Sequence, residues 1–376
     1  MKISIIGGGI SGLSAAFYAR KKFPNAHISL FEASDRLGGW MQTKEVDGFS
    51  FELGPRTFQV SRCHLLLAMV QELGLDPVYS KSGDRFLWHQ GALRKMQSFW
   101  PQLIWALIHD LFSPKELPED ESIYDFACRR CGKVAANLFF DPIAKGVFGG
   151  DIRQLSIRSC FPFLFTSKPL YKLFSGKKDQ GLFTVRKGMG ALIAALAKIP
   201  DEIHFHSSIS EIQEGLTVVA LPGQAASHLC GIPLELRNES MRVVNFGFCG
   251  DVLSKQGYGY LVPSMDGEAI LGQIWDSSIF PTAGQTKVTT MVRGDDPLGL
   301  AIEALKRHVQ IDQPIAALHQ TEAQIPQYDL FHHQRIETFE AEVKKRFGGN
   351  VLLTGNYLHG ASVEACVRRS LSLFSV

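Results

Sequence analysis

Apolar positions along this chain change period abruptly, and the changes mark its elements. Residues 2–6, KISII, are an almost unbroken apolar run, the pattern of a strand buried on both faces. Gly7-Gly8-Gly9-Ile10-Ser11-Gly12 interrupts it. The period then becomes helical: Ile10, Leu13, Ala16, Phe17 and Ala19 share one side, and Arg20, Lys21 and Lys22 close the last turn. Residues 27–31 predict a second strand, ending at Glu32. Near the other end, residues 350–354 (NVLLT) predict another buried strand, then a Gly-rich turn and a helix through residues 366–373. His204 and His206 alternate in EIHFH, which predicts one exposed face of a strand, and His332-His333 is expected in a polar loop-to-helix stretch.

Strand, glycines, helix, strand and acid come in the order of a dinucleotide-binding unit. Gly7 is expected to make the tight turn, Gly9 to let the backbone approach a pyrophosphate, and Gly12 to let helix and strand pack closely. The helix N-terminus offers free N–H groups and a favourable dipole to phosphate. Glu32, 20 residues after Gly12, would accept hydrogen bonds from ribose hydroxyls and repel a 2′-phosphate.

Composition narrows the field. Of the 376 residues, 45 % are hydrophobic and 20 % charged, a globular balance with length for two domains or two interleaved ones. A net charge of +2 argues against a dedicated nucleic-acid binder. The seven cysteines, Cys63, Cys128, Cys131, Cys160, Cys230, Cys249 and Cys366, are scattered, which suits a reducing compartment and no disulfide framework. Cys128-x-x-Cys131 lacks a second pair at zinc spacing, so no metal is expected.

No apolar run reaches the ~18–20 residues of a membrane span. The N-terminus enters a strand at once, so no signal or transit peptide is expected. Phe is abundant, 26 residues against 8 Tyr and 5 Trp. Six of these Phe lie in 98–112 and 160–174. The first stretch has Trp100, Leu103, Ile104, Leu107, Ile108 and Leu111 at helical spacing. The second interleaves Phe163, Phe165, Tyr171 and Phe174 with Lys168, Lys172, Lys177 and Lys178. Aromatics edged by lysines suit a lipid interface; a packed core is the other reading.

Arg36-Leu37-Gly38-Gly39-Trp40 follows Glu32, and Phe51-Glu52-Leu53-Gly54-Pro55-Arg56 comes after a turn. In these segments the chain resembles the amine-oxidase-like flavoprotein superfamily, where an R-x-G-G loop wraps the FAD pyrophosphate and a later G-P segment lies beside the isoalloxazine. GVFGGDIRQLSIRSCFP, GYGYLVPS, DSSIFP, QIPQY and GASVEACVRRS extend the likeness over almost the whole length. In them the chain resembles the FAD-dependent protoporphyrinogen oxidases of haem biosynthesis.

The resemblance implies an α/β and α+β fold. A Rossmann-like FAD-binding domain would take the discontinuous pieces 1–75, 184–222 and 325–376. A mixed-sheet substrate domain would take 76–95 and 223–324, and a helical membrane-facing region 96–183. It implies non-covalent FAD held by Gly7, Gly8, Gly9, Ile10, Ser11, Gly12, Glu32 and Ala33. Arg36, Gly38, Gly39, Trp40, Gly54, Pro55, Arg56 and Thr57 would continue the grip, and Ile209, Asn356, Ala361, Ser362 and Val363 would complete it. Arg85 is expected to pair with a substrate propionate. Tyr258 (usually Phe in the family), Gly259, Leu261 and Met291 are expected to line the macrocycle, and Gly149 and Gly150 to face its pyrroles.

The family oxidises protoporphyrinogen IX to protoporphyrin IX, with the flavin taking hydride and oxygen reoxidising it. The implied setting is cytoplasmic, at the surface of the inner (cytoplasmic) membrane, with a homodimer or contact with ferrochelatase as further partners. Coproporphyrinogen III is the alternative substrate, for which Arg56, Arg94, Lys95 and Arg158 would supply cations. A flavin-binding protein with degenerate catalysis is the other alternative, because the chain is short for the family. Losses fall after SCFPFLF and between Ile212 and Leu216, where the expected strand ISEI meets that of LTVVALP. GPRT replaces GPRG, so Thr57 is expected to take a glycine-like backbone angle.

Overall fold

The computed structural model describes residues 1–81, 83–174 and 180–375, and for Leu173 and Phe174 the backbone alone. The strand Lys2–Ile6, buried beyond its first residue, is flanked in parallel by His27–Phe31 and Leu216–Val219. Glu202–His204 and Val351–Leu353 complete a five-stranded parallel sheet in the order 202–204, 27–31, 2–6, 216–219, 351–353. Because all its strands run one way, the turns after them gather along a single edge, where ligands bind in such sheets. The helix Ile10–Lys22 is buried nearly all round, from Ser11 to Ala19, rather than along one stripe. It is enclosed by the sheet and by the helices Met189–Leu196 and Val363–Phe374.

A second, seven-stranded sheet has the order 317–327, 237–249, 285–292, 270–274, 259–261, 85–89, 92–95. Its pairs are antiparallel except that Gly259–Leu261 runs parallel to Arg85–His89. One face buries Val244, Phe246, Trp275 and Val288 under the helix Pro297–Val309. The alternate residues Met241, Val243, Met291, Ala323 and Ile325 lie on the other face.

The helices Trp100–Phe112, Ile123–Cys131 and Asp141–Phe148 form a third body around Phe126, Phe148, Leu155 and Ile157. An ion pair lies buried in it: Arg130 Nε donates to Asp110 Oδ1 at 2.6 Å, both side chains 0 % exposed. Arg130 also donates to the carbonyls of Thr166 and Lys168, and Asp110 accepts from the Leu170 N–H. The pair therefore ties 160–174 to two helices and is fully hydrogen-bonded, as buried charge requires. Cys131 packs here, its thiol pushed up to about 12, chiefly by burial. Among the described residues no group of side chains could hold a metal.

The stretch 98–112 turns its apolar face outward: Trp100, Ile104, Trp105, Ile108, Leu111 and Phe112 are exposed, Phe112 by 85 %. Core packing therefore does not explain it. In 160–174 Phe163 and Tyr171 are exposed while Leu164 and Leu170 are buried. Lys177, Lys178 and the Phe174 side chain lie outside the described residues. Among those residues no helix is long and apolar enough to cross a membrane.

Four local expectations are corrected. The strand of EIHFH stops at His204, which stacks on Phe31 at 4.8 Å, and His206 sits in a turn at φ +51°. His332 is buried, 1 % exposed, rather than in a polar stretch. ISEI forms no strand, because only three residues separate it from the strand Leu216–Val219. Thr57 is not among the residues with positive φ, so no glycine angle is demanded of it.

Candidate functional site

The edge of the parallel sheet and the free face of the mixed sheet enclose a cavity of about 870 Å³. Its first half is made largely of backbone. Gly7 turns at φ +106°, and a Cβ there would meet the Ala220 carbonyl oxygen at 2.5 Å. A Cβ on Gly12 would meet the Gly7 carbonyl oxygen at 1.9 Å, so Gly12 serves helix–strand packing and does not line the cavity. A Cβ on Gly9 would meet no atom of the described residues beyond its chain neighbours within 4 Å, because Gly9 faces open space. The helix begins at this point with no side-chain cap, leaving its first N–H groups available to an anion. The residues present thus fit a dinucleotide pyrophosphate.

Glu32 lines the cavity and accepts from the Gly8 N–H at 2.8 Å and the Ser34 N–H at 2.9 Å. Burial pushes its carboxyl up, but the bonds from Ser34 and Gly8 and the charge of Arg36 outweigh that and hold it below the usual range. The Gly38 N–H donates to the Gly8 carbonyl at 2.9 Å, docking the R-x-G-G loop on the glycine turn. Ile10, Ser11, Ala33, Gly38, Gly39 and Trp40 line the cavity here, and Gly54, Pro55, Thr57 and Ile209 continue the wall. Arg36 stays outside, donating to the Gly39 carbonyl at 3.1 Å.

Asn356, Ala361 and Val363 close this half from the C-terminal turn. Ser362 stays out of the wall and caps the last helix, accepting from the Ala365 N–H at 3.1 Å. The turn is held from behind. The Tyr328 hydroxyl donates to the Asn356 carbonyl at 2.6 Å and accepts from the Gly360 N–H at 3.1 Å. His332 stacks on Tyr328 at 4.1 Å and donates from Nε2 to the Tyr357 carbonyl at 2.8 Å. Burial, foremost, pushes His332 down to about 4 and keeps it neutral. Sequence reading missed this brace; the aromatic Tyr328 four residues before His332 was its only signal.

The second half is an apolar slot. Met241, Val243, Ile274, Met291, Ala323 and Ile325 form one wall; Tyr258, Gly146 and Val147 also line it. Arg56 lies where the halves meet, donating to Asp276 Oδ1 at 3.0 Å and Thr289 Oγ1 at 2.5 Å. Burial pushes the Tyr258 phenol up, so it stays neutral.

The structure does not bring the other expected substrate residues into the wall. Arg85 is exposed and stacks on Tyr258, its guanidinium 5.5 Å from the ring centre. Asp84 pairs with Lys95 instead, at 2.5 Å. Gly259 is a strand residue whose ladder joins Arg85 to Ile274, and Leu261 packs against Gly146. Gly149 is the left-handed cap of the helix Asp141–Phe148, at φ +66°, and Gly150 is buried against Gln327. The glycine of this segment that lines the cavity is Gly146, a position the sequence reading missed.

A cavity that joins a phosphate cradle to a flat apolar slot belongs to a flavoprotein. The model of the flavin containing amine oxidoreductase family matches residues 10–228. Protoporphyrinogen oxidase of Bos taurus is 30 % identical, over 97 % of this chain and 96 % of that protein. Coproporphyrinogen III oxidase of Bacillus subtilis (strain 168) is 26 % identical, over 97 % and 95 %. A crystal structure from Exiguobacterium sp. 255-15 matches with TM-score 0.82 and 20 % identity, over 99 % and 97 % of the two chains. Reduced UDP-galactopyranose mutase matches with TM-score 0.73 and 14 % identity, over 99 % and 93 %, a likeness of fold alone. The chain belongs to the protoporphyrinogen oxidase family of these flavoproteins. It is an FAD-dependent oxidase.

Proposed function

We propose that the chain oxidises protoporphyrinogen IX to protoporphyrin IX, with oxygen as the final acceptor. The observation that carries this choice is the poverty of cations around the slot. Among the described residues lining the cavity, Arg56 and His228 are the only basic side chains, and Arg56 is already paired with Asp276. Arg94, Lys95 and Arg158 lie outside the lining, and Arg158 donates to the Glu119 carbonyl. An apolar wall with so few cations suits a macrocycle with two carboxylates better than coproporphyrinogen with four.

Bound FAD supplies the hydride acceptor. Gly7, Gly8, Gly9 and the following helix end hold its pyrophosphate, and Glu32 takes the ribose hydroxyls. The chain's own work in the slot is orientation and exclusion of water. Met241, Val243, Met291 and Ile325 offer an apolar face to the macrocycle, and neutral Tyr258 lines the same slot. In the test, purified holoprotein receives protoporphyrinogen IX or coproporphyrinogen III under air, and porphyrin fluorescence is followed. Faster turnover per active site on protoporphyrinogen supports the reading. Faster turnover on coproporphyrinogen, or none on either, overturns it.

We infer further that the protein docks on a membrane surface through the helix Trp100–Phe112. Its exposed row of Trp100, Ile104, Trp105, Ile108 and Leu111 is interfacial in composition and too short to span. Trp100→Ser with Trp105→Ser should abolish co-sedimentation with liposomes and leave FAD content unchanged. Wild-type protein that fails to bind liposomes would end this reading.

A further inference from the structure

A second crevice, of about 230 Å³, opens on the opposite face of the mixed sheet from the large cavity. Its floor is buried: Trp275 is 0 %, His308 4 % and Trp88 5 % exposed. Leu253 and Leu93 form its sides, and Lys255 and Arg307 stand at its exposed rim. Two hydrogen-bonding atoms of the floor have no hydrogen-bond partner among the described residues, Trp275 Nε1 and His308 Nε2.

Both atoms are donors. The indole N–H can only donate. The Tyr260 hydroxyl lies 2.9 Å from His308 Nδ1 and has no other acceptor among the described residues, so it donates there and leaves the imidazole proton on Nε2. Burial, foremost, lowers the His308 pKa to about 4, so the ring is neutral. Nε2 stands 3.8 Å from Glu268 Oε1, too far for a hydrogen bond. Glu268 is in any case occupied by the Trp88 indole N–H and by Arg307. Its charge cancels that of Arg307 and leaves Lys255, which has no ion pair among the described residues, as the net charge at the mouth. Two buried donors, one net positive charge and apolar sides describe a receptor for a small organic monoanion.

We propose that this crevice is a second ligand site, for a small aromatic or branched-chain monocarboxylate. The carboxylate accepts from Trp275 Nε1 and His308 Nε2, and the apolar part lies against Leu93 and Leu253. The volume, about that of eight liquid waters, suits a benzoate-sized molecule. Trp275 also joins the site to the large cavity. Its chain neighbour Ile274 lines that cavity, and Asp276 holds Arg56 there at 3.0 Å. Its own N–H donates to the carbonyl of Tyr258, another lining residue, at 3.1 Å. An occupant that bonds the indole therefore acts on a strand end that shapes the slot, and the site is placed to report a carboxylate metabolite to the oxidase.

The test is isothermal titration of the FAD-loaded full chain with benzoate, and with benzyl alcohol as its neutral counterpart. Saturable benzoate binding is expected, with benzyl alcohol at least about tenfold weaker for want of a charge-assisted bond. Ala92→Phe fills the crevice from its exposed edge and should abolish binding. Lys255→Gln should weaken it by up to about fivefold, as expected of an exposed charge. Trp275→Phe should weaken it about tenfold or more; if that variant unfolds, the two surface variants still decide. Absent benzoate binding, equal binding of the alcohol, or binding untouched by Ala92→Phe would each overturn the proposal. The last result would move the benzoate to the large cavity.

Discussion

The two halves of the large cavity are built differently. The nucleotide half is backbone: glycines that approach one another within contact distance, an uncapped helix start, and one carboxylate whose position is set by two N–H donors. The slot is side chains, gathered from strands far apart in sequence. Val243 meets Met291 across one ladder, and Met241 meets Ala323 across another. Backbone construction tolerates almost no change, because a glycine has no smaller replacement. Side-chain construction tolerates exchange of one apolar group for another of similar volume. The lesson is that cofactor affinity and substrate preference can vary separately in such a molecule.

The sharpest way to break that comparison is at Gly9. Gly9→Val should leave the apoprotein as stable as wild type, since its Cβ meets nothing in the protein, and yet abolish flavin retention. Gly12→Val should fail earlier, as insoluble chain, because its Cβ would lie 1.9 Å from a carbonyl oxygen. A yellow Gly9→Val protein would show that the pyrophosphate lies elsewhere. Next in size is the helical body. Arg130→Met strands the Asp110 carboxylate in the core and should cost about 3–5 kcal/mol in thermal unfolding. Loss of FAD at a temperature where this variant is still folded would mean that the third body and the nucleotide half are not separable.

Acid should affect the nucleotide half through His332. Its folded pKa is lowered to about 4 from 6.5 in the open chain, so the unfolded chain binds the proton first. Its contribution is complete above pH 6.5 and is lost as pH falls toward 4, at about 1.4 kcal/mol per unit. Denaturant unfolding across that window should show the slope, and His332→Phe should remove about half of it, His308 carrying the rest. A slope unchanged in His332→Phe would assign all of it to His308, on the helix Pro297–Val309, which is lowered to the same value. The smallest effect belongs to Arg85. A guanidinium resting on Tyr258 outside the slot is worth about 0.5–1 kcal/mol, so Arg85→Ala should raise KM by no more than about fivefold, with kcat and FAD content unchanged. A rise of about a hundredfold would restore Arg85 to the substrate's carboxylate.

How much of this was legible follows the same division. The glycine turn and Glu32 stand in a fixed local order, so spacing locates them, and the R-x-G-G loop that follows is located by the resemblance. The slot depends on which strands pair and in what register, and no local period of 237–249 or 317–327 encodes that. The resemblance put Gly149 and Gly150 at the pyrroles, although a left-handed glycine is what a helix ending at Phe148 needs as its cap. Gly146, inside that helix, carried no turn signal. Asp110 is a single charge in an apolar stretch. Its partner lies on the next helix, 20 residues on, beyond the reach of any i,i+4 rule.

The Asp110–Arg130 pair has one more consequence. It fixes the rotation of the helix Trp100–Phe112 about its own axis. To fold its tryptophans inward, the helix would have to carry Asp110 into the open and leave Arg130 alone in the core. The outward apolar row is therefore permanent, not a state that the protein adopts on meeting a surface. Under the docking proposed above, the protein is expected to cover the row with copies of itself in plain buffer, and the size measured there would then report the absence of a membrane surface.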